Sequence, residues 1–198
     1  ATMPKTIETI ALERRVTALF SRYLQPGSPG AVVGVMRGST IELCKGFGMA
    51  SLELGVPIRP DTRFRIASVS KQFTVTAALM LAAEGKLKLS DPPHKYLPEL
   101  AGSEFDKVSL INLATHTAGG FPLQVPDEVQ DNRQLMDYFK VWQPSYAAGT
   151  QRTYANPSIG ALGMITAASL GVPFASALEQ QLFPALGMRN SFVQVPAN

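Results

Sequence analysis

Apolar residues recur at two different spacings in the first quarter of the chain. From about residue 6 to residue 24 they fall every three or four positions, which predicts an amphipathic helix that ends at the proline and glycine turn of residues 26–30. Residues 31–36 form a continuous apolar run, and residues 41–47 alternate after a short turn. A helix followed by a β-hairpin is therefore predicted. Cys44 falls in the second strand, where we expect a small buried side chain.

The longest apolar segment, residues 75–83, belongs to a helix predicted to begin at about Ser68 and to end before Gly85. A helix that is apolar on every side is buried, so we expect it to be the central element. Further helices are predicted over residues 109–114, from 131 or 132 to 142, 157–169 and 174–182. A helix and hairpin before a mainly helical block indicate an α+β fold, with a first domain at residues 1–60 and a helical lobe at 61–198.

Composition and charge exclude several classes of protein. The 198 residues are 45% hydrophobic and 17% charged, enough for one sizeable core, and the net charge of +3 comes without a Lys/Arg tract typical of nucleic-acid binding. No apolar stretch predicts a membrane span, and the first residues lack an apolar signal core. The single cysteine rules out an internal disulfide. Neither His94 nor His116 has a partner at metal-ligand spacing, so no metal site is predicted, and we expect His94 to lie at the surface.

Candidate chemistry begins with Ser68, which has a lysine, Lys71, three residues further along. On a helix this spacing places both side chains on one face, so the amine of Lys71 can reach the hydroxyl of Ser68. A serine beside such a base is an activated nucleophile. The structural alternative is that Ser68 caps the helix and Lys71 lies on a solvated face.

A second short motif lies far along the chain, where Tyr154 is followed two residues later by Asn156 at the start of a predicted helix. A phenol next to an ammonium group can hold or pass a proton, and an amide can orient a substrate carbonyl. The alternative is a surface tyrosine and a capping asparagine. Together, Ser-x-x-Lys and Tyr-x-Asn are two of the three motifs of the serine penicillin-recognising enzymes.

Longer runs carry a resemblance to the class C serine β-lactamases of the β-lactamase and penicillin-binding superfamily. They are KLSDP (88–92), LATHTAGGFPLQVPDEV (113–129), WQP (142–144), GTQR (149–152), YANPSIG (154–160) and LFPALG (182–187). The resemblance implies a β-lactamase/transpeptidase-like fold, present here as a helical lobe plus an incomplete antiparallel sheet. It implies that Ser68 is acylated, that Lys71 and Tyr154 relay protons, and that Asn156 and Gln124 bind the amide side chain of a β-lactam.

The same resemblance implies hydrolysis of β-lactam antibiotics or peptidoglycan-like small molecules, in the periplasm or outside the cell, without cofactor or metal. Two departures leave the substrate open. Ile66 and Ala67 stand where the class C pattern usually has Leu-Gly, and His116 replaces a common tyrosine. Both resemble the esterase, D-aminopeptidase and DD-peptidase branch. We expect His116 to be a buried, hydrogen-bonded loop residue rather than a catalytic one.

The third family motif, Lys-Thr-Gly or Lys-Ser-Gly, does not occur in this sequence. The chain therefore resembles the N-terminal part of a class C enzyme, and the alternative is a truncated, non-catalytic member of the family. A two-stranded hairpin is marginal alone, so we expect a C-terminal segment, a second chain or a swapped copy to supply neighbouring strands. Residues 1–198 alone are expected to lack β-lactamase activity.

Overall fold

The computed structural model describes residues 7–195 of the chain, which separates into two units between Arg65 and Ile66. Thr6, the predicted start of the first helix, lies outside the described residues, as do the other terminal residues of the two predicted domains, 1–5 and 196–198. Helices accompany small antiparallel sheets, so the prediction of an α+β fold is confirmed.

The N-terminal unit contains the predicted helix and hairpin. Its elements are helix α1 (Ile7–Leu19), a 3₁₀ turn (Ser21–Leu24) and strands β1 (Ala31–Arg37), β2 (Thr40–Phe47), β3 (Met49–Ser51) and β4 (Val56–Pro57). β1 and β2 pair antiparallel, with Ala31 opposite Phe47, and the register shifts between Val35 and Met36. Among the described residues this hairpin is a two-stranded sheet.

The β3–β4 pair is a second small sheet, for which the sequence analysis predicts no strands. Its strands have three and two residues, too few to show alternation, and Pro57 is typical of a turn or an edge. The pairing is therefore invisible in the hydrophobic pattern and depends on the chain reversal at residues 52–55.

The core of the N-terminal unit forms where α1 packs on one face of the hairpin, burying Val16, Leu43 and Phe47. Successive side chains of a strand point to opposite faces. Cys44 therefore points away from the face that buries Leu43 and Phe47, and it is exposed. The prediction of a strand at Cys44 is confirmed, but the prediction of its burial is wrong.

The C-terminal unit is helical. Its α-helices are α2 (Lys71–Ala83), α3 (Leu110–Ala114), α4 (Asn132–Val141), α5 (Asn156–Leu170), α6 (Phe174–Ala177) and α7 (Phe183–Ala185). Short 3₁₀ turns lie at Ala67–Ser70, Pro93–Lys95, Pro98–Leu100 and Glu104–Lys107, and a π-helical turn, Leu178–Leu182, joins α6 to α7. No single helix within residues 7–195 is long and apolar enough to cross a membrane; α5 and Phe174–Ala185 meet that requirement only as a pair bent by 76°.

Local capping explains why the helices of this unit begin and end where they do. The Asp131 carboxylate accepts a hydrogen bond from the Gln134 N–H at the start of α4, and Ser109 and Asn112 form a capping box on α3. Helix α5 ends at Gly171, which has φ 66°. The predicted helices at these positions are confirmed.

Helix α2 packs against α5 at the centre of the C-terminal unit, with Ala78 and Leu81 buried against Leu162 and Ile165 in one hydrophobic core. The prediction that α2 is buried on every side is wrong for this unit. Leu79 is 48% exposed, and Met80 beside it is also exposed. Apolar composition on all sides predicts burial, but packing here covers the sides of α2 that face α5 and the π-helical turn, and it leaves Leu79 and Met80 uncovered.

An aromatic cluster stabilises the loops between α3 and α5. Phe105 stacks on Phe139 at a centroid distance of 4.6 Å and meets Trp142 edge to face at 6.1 Å. Phe121 stacks on Trp142 at 4.0 Å. All four side chains are buried, so this cluster fixes the loop that carries residues 116–123 to α4.

We expect Phe105→Ala to lower the free energy of unfolding of the helical unit by about 3–5 kcal/mol, because it removes a fully buried ring and leaves a cavity. Urea denaturation followed by tryptophan fluorescence measures the change, since the only tryptophan of the chain, Trp142, belongs to the cluster. Val141→Ala is the control, because Val141 is exposed on α4. Equal effects of the two substitutions would contradict the assignment of Phe105 to the core.

Candidate active site

Ser68 and Lys71 are in direct contact at the start of α2. The Lys71 Nζ donates a hydrogen bond to the Ser68 Oγ over 3.0 Å. The sequence predicts one continuous α-helix from Ser68, whereas the structure has a 3₁₀ turn at Ala67–Ser70 that passes into α2 at Lys71. In a 3₁₀ helix, side chains three residues apart eclipse one another. The tighter turn therefore aligns the amine with the hydroxyl more directly than an α-helix would.

The residue before Ser68 has an unusual backbone conformation. Ala67 has φ 46°, in the left-handed region that favours glycine, and the Val69 N–H donates to the Ile66 carbonyl across the turn. Alanine stands here where the class C pattern has glycine, and it adopts the left-handed backbone conformation that glycine favours. The next residue, Ser68, is exposed at the surface of the C-terminal unit.

Tyr154 lies just before α5 and meets the same two side chains. The Lys71 Nζ is 4.8 Å from the centroid of the Tyr154 ring. Hydrogen bonds to Lys71 and then to Ser68 are the main causes that hold the pKa of the Tyr154 phenol below its ordinary value of 10.0, and the positive charges of Lys71 and Arg152 act in the same direction. The structure therefore brings Ser68, Lys71 and Tyr154 together.

Two loop segments, residues 116–123 and 145–156, are held together by backbone hydrogen bonds, and this pairing fixes the position of Tyr154. The bonds are Ser145 N–H to Gly119 O (2.8 Å), Gly149 N–H to Thr117 O (2.8 Å), Thr153 N–H to His116 O (2.9 Å) and Asn156 N–H to Leu123 O (3.0 Å). Gly119 has φ 120°, and a Cβ there would lie 2.8 Å from the Tyr146 carbonyl oxygen, so this approach requires glycine.

His116 is buried and hydrogen-bonded in a loop, as predicted. Its Nδ1 accepts a hydrogen bond from the Ala155 N–H over 3.2 Å, and its ring lies 4.5 Å from the Tyr154 ring. Burial, followed by the positive charges of Arg152 and Lys71, lowers the pKa of His116. The contact with Tyr154 is absent from the sequence analysis, because residues 38 positions apart show no pattern that joins them.

Arg152 is a second residue of the site that the sequence analysis does not single out. Its Cζ lies 6.0 Å from the centroid of the Tyr154 ring, and its side chain is exposed. Residues 151–155 belong to no helix or turn, and Ala155 has extended backbone angles; side chains two positions apart in an extended segment share one side. That spacing, a cation two residues before Tyr154, is the signal that could have identified it.

Asn156 is the last residue of the second paired segment, and Gln124 directly follows the first. The Asn156 N–H donates to the carbonyl of Leu123, the residue before Gln124. Among the described residues the buried Oδ1 of Asn156 has no hydrogen-bond partner, and Gln124 is exposed. The geometry therefore places both amides at neighbouring positions of the backbone, with the Asn156 oxygen enclosed by the protein.

The remaining histidine, His94, is outside this group. Its Nδ1 lies 2.8 Å from the Asp106 carboxylate, and its side chain is 43% exposed, which agrees with the predicted surface position. Within the described part of the chain, no three His, Cys, Asp or Glu side chains come together in an arrangement that could hold a metal ion.

Comparison with known proteins supplies an independent line of evidence. A family model described as Beta-lactamase matches residues 14–198. A β-lactamase of Lysobacter lactamgenus is 45% identical over 185 residues, which are 93% of this chain and 47% of that protein. The chain thus spans about half the length of the curated relatives that it matches.

Solved structures agree in fold. A β-lactamase/D-alanine carboxypeptidase from Pseudomonas syringae superposes with a TM-score of 0.83 at 44% identity, covering 95% of this chain and 51% of that one. A class C β-lactamase in complex with cefoxitin gives a TM-score of 0.89 at 39% identity, covering 96% and 54%. The predicted β-lactamase/transpeptidase-like fold is therefore confirmed.

The pairing of the two segments can be tested at Gly119. We expect Gly119→Ala to lower the free energy of unfolding by about 1–3 kcal/mol, because the added Cβ meets the Tyr146 backbone and the new residue is held at a positive φ. Gly160→Ala is the matched control: Gly160 is an exposed residue of α5 with nothing within 4 Å of a Cβ, so it should stabilise the protein by about 0.5–1 kcal/mol. Thermal and urea unfolding measure both, and a neutral Gly119→Ala would overturn the argument.

Proposed function

Because this chain belongs to the beta-lactamase family, we propose that the protein containing it is a class C-like serine β-lactamase that hydrolyses the β-lactam amide through an acyl-enzyme on Ser68. The single observation that carries the proposal is the contact of Lys71 with both Ser68, at 3.0 Å, and the ring of Tyr154, at 4.8 Å. A serine nucleophile beside two groups that can exchange its proton is equipped for acyl transfer.

Acylation uses these three side chains. The Ser68 Oγ forms a bond to the β-lactam carbonyl carbon, and the ring C–N bond then breaks. The proton leaves Ser68 through Tyr154 and Lys71 and reaches the departing ring nitrogen. The lowered pKa of Tyr154 supports this path, because less free energy is needed to form the phenolate that accepts the proton.

Deacylation reverses the roles. A water molecule gives one proton to the same pair of side chains and attacks the ester carbonyl, and Ser68 recovers a proton as the open product leaves. The 3₁₀ turn supports both steps, because it holds the Lys71 amine at hydrogen-bond distance from the Ser68 oxygen. No step calls on a metal or an organic cofactor.

For substrate recognition we propose the amides of Asn156 and Gln124, which would hold the amide side chain of a β-lactam. The hydrogen bond from the Asn156 N–H to the Leu123 carbonyl supports this assignment, because it holds the two amides at neighbouring positions of the backbone. A class C β-lactamase that is 39% identical to this chain has been solved in complex with cefoxitin. β-Lactams are therefore the first substrates to test on the protein that contains this chain. We propose a periplasmic or secreted location, on the family resemblance.

A second candidate function is D-alanine carboxypeptidase activity on peptidoglycan-like peptides. Two similar structures support it by their descriptions: the Pseudomonas syringae β-lactamase/D-alanine carboxypeptidase and a D-alanine carboxypeptidase from Burkholderia cenocepacia, 39% identical with a TM-score of 0.81. Both activities use a serine nucleophile and differ in how fast water attacks the acyl-enzyme.

Steady-state hydrolysis of a chromogenic cephalosporin by the full-length protein separates the two functions. We expect continuous turnover from a β-lactamase, whereas a carboxypeptidase would release one equivalent and stall as a stable adduct. Ser68→Ala should abolish turnover and adduct, and Ser70→Ala is the matched control, two residues away. Tandem mass spectrometry must locate the adduct, because residues 66–71 form one tryptic peptide containing both serines. An adduct that persists in Ser68→Ala would contradict the assignment of Ser68 as the nucleophile.

Tyr154→Phe tests the proton relay. We expect turnover to fall by about a hundredfold or more, the usual effect of removing a positioned acid–base group. The pKa of Tyr154 is lowered, so in the unaltered protein the acylation rate should rise with pH as the phenol loses its proton, below 10.0, and this rise should disappear in the variant. Tyr138→Phe, on α4, is the control. An unchanged rate and pH profile would show that Tyr154 is structural.

A further inference from the structure

We propose that His116 is a positioning residue for Tyr154. It holds the phenol against Lys71 and Ser68 through the contact of its imidazole ring and by accepting hydrogen bonds from the backbone N–H groups on both sides of Tyr154. The inference deepens the proposed function and rests on it for its kinetic part only. Its structural part concerns how the phenol is held, and it stands on contacts within the C-terminal unit.

The backbone around Tyr154 is bound at two successive points by one residue. The Thr153 N–H, before Tyr154, donates to the His116 carbonyl oxygen over 2.9 Å. The Ala155 N–H, after it, donates to the His116 Nδ1 over 3.2 Å. A single backbone hydrogen bond would leave the segment around Tyr154 free to rotate about that hydrogen bond. Two bonds that flank Tyr154 fix the direction in which its side chain leaves the backbone.

The side chain of Tyr154 is held as well. The His116 ring packs on the phenol ring with centroids 4.5 Å apart and planes inclined by 35°. His116 is only 8% exposed, so the imidazole has little room to move and presents a fixed surface to the phenol. Because Lys71 Nζ approaches the same phenol ring at 4.8 Å, a shift of Tyr154 away from His116 would also change its contact with Lys71.

The backbone of His116 gives a third indication. Helix α3 ends in a Schellman motif: the His116 N–H donates to Leu113 O and the Thr117 N–H donates to Asn112 O. His116 has the left-handed position of this motif, with φ 60°, where glycine is usual. Glycine would relieve the backbone strain but would make neither the ring contact nor the Nδ1 bond. A strained residue that persists beside reacting groups is typical of a functional constraint.

The charges around His116 agree with an acceptor role. Nδ1 accepts from the Ala155 N–H only while it carries no proton. Burial and the nearby positive charges of Arg152 and Lys71 lower the pKa of His116 and favour its neutral form. The imidazole therefore keeps its hydrogen bond and adds no third positive charge beside the phenol.

Two substitutions separate the contributions of the ring and of Nδ1. In His116→Asn the Oδ1 takes the place of Nδ1 and asparagine tolerates the left-handed backbone, so the acceptor is retained and the ring contact is lost. In His116→Gly both are lost while the strain is relieved. His94→Gly is the matched control, a histidine outside the site. The first measurement needs no substrate: the ¹³Cζ signal of Tyr154 in tyrosine-labelled full-length protein, assigned with Tyr154→Phe, is titrated with pH.

We expect Tyr154 to ionise at higher pH in His116→Gly, because the phenol leaves the hydrogen bonds of Lys71 and Ser68, with a smaller shift in His116→Asn and none in His94→Gly. For hydrolysis, kcat should fall by about tenfold to a hundredfold in His116→Gly with KM little changed, and by less in His116→Asn. In a Tyr154→Phe background the same His116→Gly substitution should change kcat by less than about twofold.

An unshifted Tyr154 titration in the two His116 variants would overturn the proposal, whatever their activity. A loss of kcat in His116→Gly that is equally large in the Tyr154→Phe background would also overturn it, since His116 would then act by another route. If His116→Gly does not fold, the His116→Asn titration decides alone. Absence of β-lactam turnover in the unaltered protein contradicts the proposed function and leaves the titration result valid.

Discussion

The close packing of α2 on α5 is the constraint on which the candidate site depends. Gly163 of α5 lies so near α2 that a Cβ there would be 3.6 Å from the Thr74 methyl group, and Ala78 and Leu162 are buried in the core between the helices. Lys71 is the first residue of α2, and Tyr154 comes two residues before the first residue of α5. Apolar packing therefore sets the distance between two polar groups, because side chains that cannot interpenetrate fix the separation of the two helices.

Helix packing alone would leave the phenol on a flexible connection, and the paired segments remove that freedom. Four backbone hydrogen bonds join residues 116–123 to residues 145–156. The buried aromatic cluster that contains Phe121 and Trp142 holds the first of these segments in place. Backbone bonds suit this task, since their geometry does not depend on a side-chain rotamer. Tyr154 therefore lies on a loop, and the elements on both sides of that loop set its position.

Features coded by adjacent residues could be predicted from the sequence, and features that depend on distant contacts could not. The helices that Asp131 and Gly171 cap were predicted, because the spacing of their apolar residues is a local pattern. The exposed face of α2 at Leu79 required knowledge of what packs against it. Cys44 is an intermediate case, because alternation with the buried Leu43 places it on the other face, and its apolar character suggested burial instead.

The candidate site divides in the same way. The proximity of Ser68 and Lys71 is local and follows from their spacing, and Tyr154 was recognisable by its motif, but the environment that sets its chemistry is tertiary. Lys71 and Arg152 both place positive charge near the phenol and stabilise its deprotonated form. A third cation would stabilise that form further and make the phenolate a weaker base for the proton of Ser68. The buried, neutral imidazole of His116 supplies a rigid contact without that charge, so the phenol is held firmly while its basicity is lowered by Lys71 and Ser68 and, to a smaller extent, by Arg152.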